Sequence, residues 1–66
     1  MKRVIISDKI IKYRKEKGLT QKSFGELLGV SAQAISKWER EECYPDITLL
    51  PELSSIFGCG IGDLFE

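Results

Sequence analysis

Residues 32–40, AQAISKWER, repeat hydrogen-bonding side chains at helical spacing. The Gln33 amide, the Ser36 hydroxyl, the Lys37 ammonium and the Arg40 guanidinium fall on one side of a helical period, with Ala32 beside them. Ala34, Ile35 and Trp38 fall on the other side. This is recognition chemistry rather than bond-making chemistry. An amide offers a donor and an acceptor together, as an adenine edge does; the Ala32 methyl suits a thymine methyl, and Lys37 suits guanine or a phosphate. The groups that make and break bonds are missing: the chain has no histidine, no glycine-rich phosphate loop and no convergent carboxylate pair. Cys43 and Cys59 have no partner base nearby in sequence, so an enzyme is the weakest of the function classes. Two cysteines without histidine also fall short of the four ligands of a structural zinc site, and no cofactor is implied.

The elements that position these donors read as two short helices and a turn. Gln21 to Leu28 carries Phe24, Leu27 and Leu28 at helical spacing behind Thr20 as N-cap. Gly29-Val30-Ser31 then stops the chain: Gly29 suits the left-handed conformation, and Ser31 caps the helix that follows. A helix crossing a phosphate backbone, followed by one with a polar, donor-rich face, is the helix-turn-helix arrangement for the major groove. Gln21 stands in the first turn of its helix, where free backbone N–H groups meet a phosphate. Ser31, Ser36 and Arg40 are further candidate phosphate contacts, as are Lys22 and the N-terminal Lys2 and Arg3. Trp38 resembles a stacking platform for bases, but its spacing with Ala34 and Ile35 assigns it to the core, as with Tyr13 and Phe57.

Around this pair the punctuation predicts three more helices. The first starts at Ser7 as N-cap and runs through Lys17 to Gly18, with Val4-Ile5-Ile6 as a lead-in rather than a strand. Ile6 with Ile11, Leu19 with Phe24 and Val30 with Ile35 then all occupy the two positions of a hydrophobic staple. The fourth runs from Asp46 to Phe57 and ends at Gly58, although Pro51 requires either an irregular first turn or a start nearer Leu49. The fifth, Ile61 to Phe65, is weakened by Gly60 and Gly62. No apolar stretch approaches the ~20 residues that span a bilayer. The apolar run behind Lys2 and Arg3 is too short for a secretory signal, so the expectation is a cytoplasmic protein with two free thiols.

Net charge is zero, but the charges are segregated. All ten Lys and Arg lie in residues 1–40 with only Asp8, Glu16, Glu26 and Glu39, which makes that part +6; residues 41–66 carry six carboxylates and no basic residue, −6. Such a dipole favours one orientation on a polyanion, and the positive part coincides with the helix-turn-helix.

Residues 6–65 resemble a Cro/repressor-type (xenobiotic-response-element) helix-turn-helix domain. The likeness is carried by Arg14, Lys17-Gly18-Leu19-Thr20-Gln21, Leu28-Gly29-Val30-Ser31, Ile35-Ser36-Lys37-Trp38-Glu39-Arg40, Tyr44-Pro45-Asp46 and Asp63-Leu64-Phe65. It implies an all-α, lambda-repressor-like bundle of five short helices, the second and third forming the motif, in one domain over residues 1–66. It also implies that Gln21 anchors the backbone, that Ala32, Gln33 and Lys37 face base edges, and that Arg14 pairs with Glu39. Gly25 occupies a position where relatives usually carry alanine facing the partner helix. The function implied is a transcriptional regulator, most simply a repressor, binding double-stranded DNA as a homodimer without a small-molecule ligand in this domain. Ile61, Leu64 and Phe65 are the candidate dimer surface. Many relatives continue beyond the fifth helix, so a small complete regulator, an antitoxin and a fragment of a longer protein all remain open. A protein-interaction module of the same fold, using the acidic half against a basic partner, is the competing class.

Overall fold

The computed structural model describes residues 5–64, and over them the chain is all-helical. Helices α1 (Ile6–Lys17), α2 (Gln21–Leu28), α3 (Ala32–Glu39) and α4 (Leu50–Phe57) pack around one core, with 3₁₀ turns at Ile47–Leu49 and Ile61–Leu64. Lys2, Arg3 and Phe65 lie outside the described residues. No helix among the described residues is long and apolar enough to cross a membrane.

The motif is capped as its sequence predicts. Thr20 Oγ1 accepts from the Ser23 N–H at 3.0 Å, and Ser31 Oγ accepts from the Ala34 N–H at 3.2 Å. Gly29 takes φ 73° and its N–H closes onto the Gly25 carbonyl. Leu19 with Phe24 and Val30 with Ile35 all join the core, as staples in these two registers require. Gly25 lets the turn close tightly: a Cβ there would lie 2.6 Å from the Val30 carbonyl oxygen, so even alanine requires α2 and the turn to move apart.

Helix α1 departs from expectation. It starts at Ile6 with no side-chain cap, and Ser7 is buried in its first turn, so neither the Ser7 N-cap nor the Ile6–Ile11 staple forms. Burial decided the start. Ile6 and Ile10, one turn apart, are 2% and 0% exposed, and the Ile5 N–H donates to the Leu64 carbonyl at 3.0 Å, joining the first helix to the last turn. Pro51 is resolved as the spacing allowed. Asp46 caps the short 3₁₀ turn through the Thr48 N–H at 3.1 Å, and α4 then begins at Leu50, where Pro51 sits in the first turn and needs no N–H.

The expected fifth helix is a single 3₁₀ turn as far as Leu64, so four α-helices rather than five are present among the described residues. The closure around Gly60 and Gly62 is local: the Gly60 N–H donates to Asp63 Oδ2 at 3.0 Å, and the Asp63 N–H donates back to the Gly60 carbonyl at 3.0 Å. Leu64 is fully buried beneath this turn, which removes it from any dimer surface. Leu27 moves the other way: it follows the apolar spacing of α2 yet is 53% exposed. Tyr13, Phe24 and Phe57 form a three-ring cluster with centroids 5.7–6.2 Å apart, and Trp38 is buried, so these aromatics serve packing. Both cysteines are free thiols, Cys43 exposed and Cys59 half-buried.

Candidate nucleic-acid interface

Helix α3 is held by its apolar face and leaves its polar face open. Ile35 is fully buried and Trp38 nearly so, which fixes the rotation of the helix about its axis. Gln33, Ser36, Lys37 and Arg40 consequently line one shallow open groove, with Gln33, Lys37 and Arg40 exposed and Ser36 half-buried. Ala32, at the first turn of α3, is half-buried beside them. Four of the side chains singled out by spacing are thus brought onto one surface. Ser31 is exposed, but its oxygen already caps α3. Lys22 is exposed on α2.

Arg40 is not free. Its Nε lies 2.5 Å from Glu42 Oε2, and both side chains are more than half exposed. Exposed pairs of this kind contribute about 0–1 kcal/mol, so the carboxylate holds Arg40 only weakly. Between them Glu41 takes φ 60°, the left-handed conformation that usually falls to glycine after a helix. The Glu42 N–H then reaches back to the Lys37 carbonyl at 2.9 Å, so α3 ends with a Schellman-type closure built on a strained glutamate.

The support beneath the groove is an ion pair. Arg14 Nε donates to Glu39 Oε2 at 2.6 Å and Arg14 Nη2 to Glu39 Oε1 at 2.9 Å, the two-pronged geometry that suits guanidinium and carboxylate. Arg14 Nη1 also donates to the Leu19 carbonyl at 3.0 Å, immediately before the Thr20 cap. The side chains are 19% and 8% exposed. Burial by itself pushes the Glu39 carboxyl up, but hydrogen bonds from Arg14 and Gln21 and the charge of Arg14 outweigh it, so its pKa lies below the ordinary value. The hydrogen bond to Glu39 likewise holds Arg14 above its ordinary value.

One partner in this network was not legible in the spacing. Gln21 Nε2 donates to Glu39 Oε1 at 3.2 Å, tying the first turn of α2 to the end of α3 across 18 residues of chain. The side chain expected to anchor a phosphate is therefore half-buried and already oriented.

A family model for helix-turn-helix domains matches residues 10–64. The HTH-type transcriptional activator BcrR of Enterococcus faecalis is 40% identical over 60 residues, which cover 91% of this chain and 29% of that protein. The chain thus spans less than a third of the length of this curated relative. Among solved structures, the P22 c2 repressor protein in complex with synthetic operator 9T, in the presence of Tl+, matches with a TM-score of 0.78 at 35% identity, covering 91% of each chain.

Proposed function

We propose, because the chain belongs to the helix-turn-helix family of Cro/repressor-type domains, that it is a sequence-specific DNA-binding transcriptional regulator. It lays α3 in the major groove and acts most simply as a repressor on a two-fold operator, working in the cytoplasm where that DNA lies. The observation that carries this reading is the open face of α3, where Gln33, Ser36, Lys37 and Arg40 share one groove while Ile35 and Trp38 are locked in the core. Gln33 reads an adenine edge through two hydrogen bonds, Ala32 meets a thymine methyl, and Lys37 takes guanine or a phosphate. Gln21, Lys22, Ser31, Ser36 and Arg40 fix the register on the backbone.

Dimerisation follows from size. The domain measures 31 × 24 × 21 Å, and one α3 covers one half-site, whereas half-sites recur about every 34 Å of duplex. Two subunits on a two-fold site supply the affinity that one short helix lacks. With Leu64 buried, the exposed large apolar side chains of the acidic half, among the described residues, are Tyr44, Ile47 and Ile61; Ile47, at 76% exposure, is the foremost dimer contact among them. The curated relative is named an activator and the structural neighbour a repressor, and the α3 chemistry serves either. Repression needs only occupancy of the site, which this domain supplies by itself.

The test is selection of bound duplexes from a random library, followed by the stoichiometry of the complex. Enrichment of two inverted half-sites bound by two chains supports the reading. Absence of any enriched sequence, with binding indifferent to salt, refutes it in favour of a protein-interaction module.

A further inference from the structure

Glu39 does more than pair with Arg14. Its Oε1 receives two donors at once, Arg14 Nη2 at 2.9 Å and Gln21 Nε2 at 3.2 Å. A primary amide has two ends of similar shape, one donating and one accepting, and nothing in its size decides which end faces a neighbour. An ionised carboxylate decides it, because such a group accepts hydrogen bonds and has none to give. Arg14 makes both ends of its fork to Glu39 and so favours the charged form. Gln21 can then present only its N–H₂ end inward. One of the two N–H bonds is used by Glu39, and the other meets no acceptor among the described residues.

We propose that Glu39 is a positioning residue for DNA binding, fixing the orientation of the Gln21 amide so that its second N–H meets a backbone phosphate. The proposal rests on the DNA-binding reading above and deepens it at one contact. A phosphate oxygen accepts from an N–H and repels an amide carbonyl, so the orientation sets the sign of the contact. Glu39→Gln removes the charge and supplies a group that both donates and accepts. Gln21 can then turn over and show its carbonyl to the phosphate.

The experiment is a binding cycle on one duplex carrying the selected operator, with wild type, Glu39→Gln, Gln21→Ala and the double variant, each confirmed folded by its far-ultraviolet dichroism. Glu39→Gln should weaken binding roughly five- to tenfold in the wild-type background and less than about twofold when Gln21 is alanine. A merely structural role for Glu39 predicts the same loss in both backgrounds, and that result overturns the proposal. If Gln21→Ala leaves affinity unchanged while Gln33→Ala weakens it, the proposal fails and the DNA-binding reading stands. If the wild type does not bind DNA, both fail.

Should Glu39→Gln not fold, the wild type answers by nuclear magnetic resonance. One of the two Gln21 side-chain N–H protons should exchange with solvent more slowly than those of exposed Gln33, and added duplex should shift the other. Side-chain protons of Gln21 that behave like those of Gln33, with and without duplex, overturn the proposal.

Discussion

Replacing Arg14 with methionine strands a carboxylate. The Glu39 side chain, 8% exposed, loses its bonds at 2.6 and 2.9 Å and keeps only that from Gln21 at 3.2 Å. Breaking one side of a buried pair costs about 3–5 kcal/mol. The Leu19 carbonyl loses its donor as well, adding about 1 kcal/mol. A chain of 66 residues has a total stability of about 3–10 kcal/mol, so Arg14→Met takes the domain to the edge of unfolding. Glu39→Gln is milder, because Arg14 is 19% exposed, retains Leu19 and still meets an amide oxygen; a loss of about 1–3 kcal/mol is expected. The double variant strands neither charge, and its loss should fall short of the sum by about 1–3 kcal/mol. Urea melts near neutral pH, with equal slopes across the series, measure all three. Losses that add within a few tenths of a kcal/mol refute the pairing. The pH dependence gives an independent check. A carboxyl held below its ordinary value contributes stability that is fully present above its unfolded pKa of about 4.3 and is lost as pH falls through the folded value. The wild type should therefore lose more stability than the double variant on acidification below about pH 4.

Gln33→Ala should cost about 1–3 kcal/mol at the preferred site and relax selectivity at one or two base pairs, leaving non-specific binding nearly intact; uniform loss over single-base operator variants rejects a base-reading role. Glu41→Gly removes a left-handed glutamate and should raise stability by about 1 kcal/mol, seen as a melting point about 4–8 °C higher; an unchanged or lower value rejects strain at this residue. Glu42→Gln frees Arg40 and should tighten binding to any duplex a few-fold, whereas unchanged affinity means that Arg40 does not reach the DNA. Ile47→Glu should leave the monomer folded and weaken assembly on two half-sites; undiminished two-chain binding places the dimer contact elsewhere.

What could be read from the sequence was whatever short-range geometry decides. Thr20, Ser31 and Gly29 act within three or four residues of themselves, and their caps and turn form as the spacing predicts. Asp46 and Pro51 define an irregular start to α4 for the same reason. Ser7 carried an equally good local signal and lost to burial of Ile6 and Ile10, which packing of the whole bundle sets. Leu27 and Leu64 exchange their expected environments because apolar spacing names a stripe but not which of its edges the neighbouring helices cover. The groove residues of α3 were legible, since Ile35 and Trp38 fix the helix rotation from sequence alone. The Gln21–Glu39 bond was not, because it joins two polar residues 18 apart on different helices, and no periodicity encodes such a contact. Glu41 gives no warning either: a glutamate where glycine is expected shows its strain only in the backbone.

A salt series on one duplex carrying the selected operator tests DNA reading by the basic half most directly. If Lys22, Lys37 and Arg40 of two subunits each neutralise a phosphate, log affinity falls against log salt with a slope of about −5. Lys22→Gln should flatten that slope by roughly one unit per lost contact, hence about two per dimer, and Glu52→Gln in the acidic half should leave it unchanged. Equal changes from Lys22 and Glu52 contradict the orientation, and a flat response in the wild type contradicts DNA binding itself.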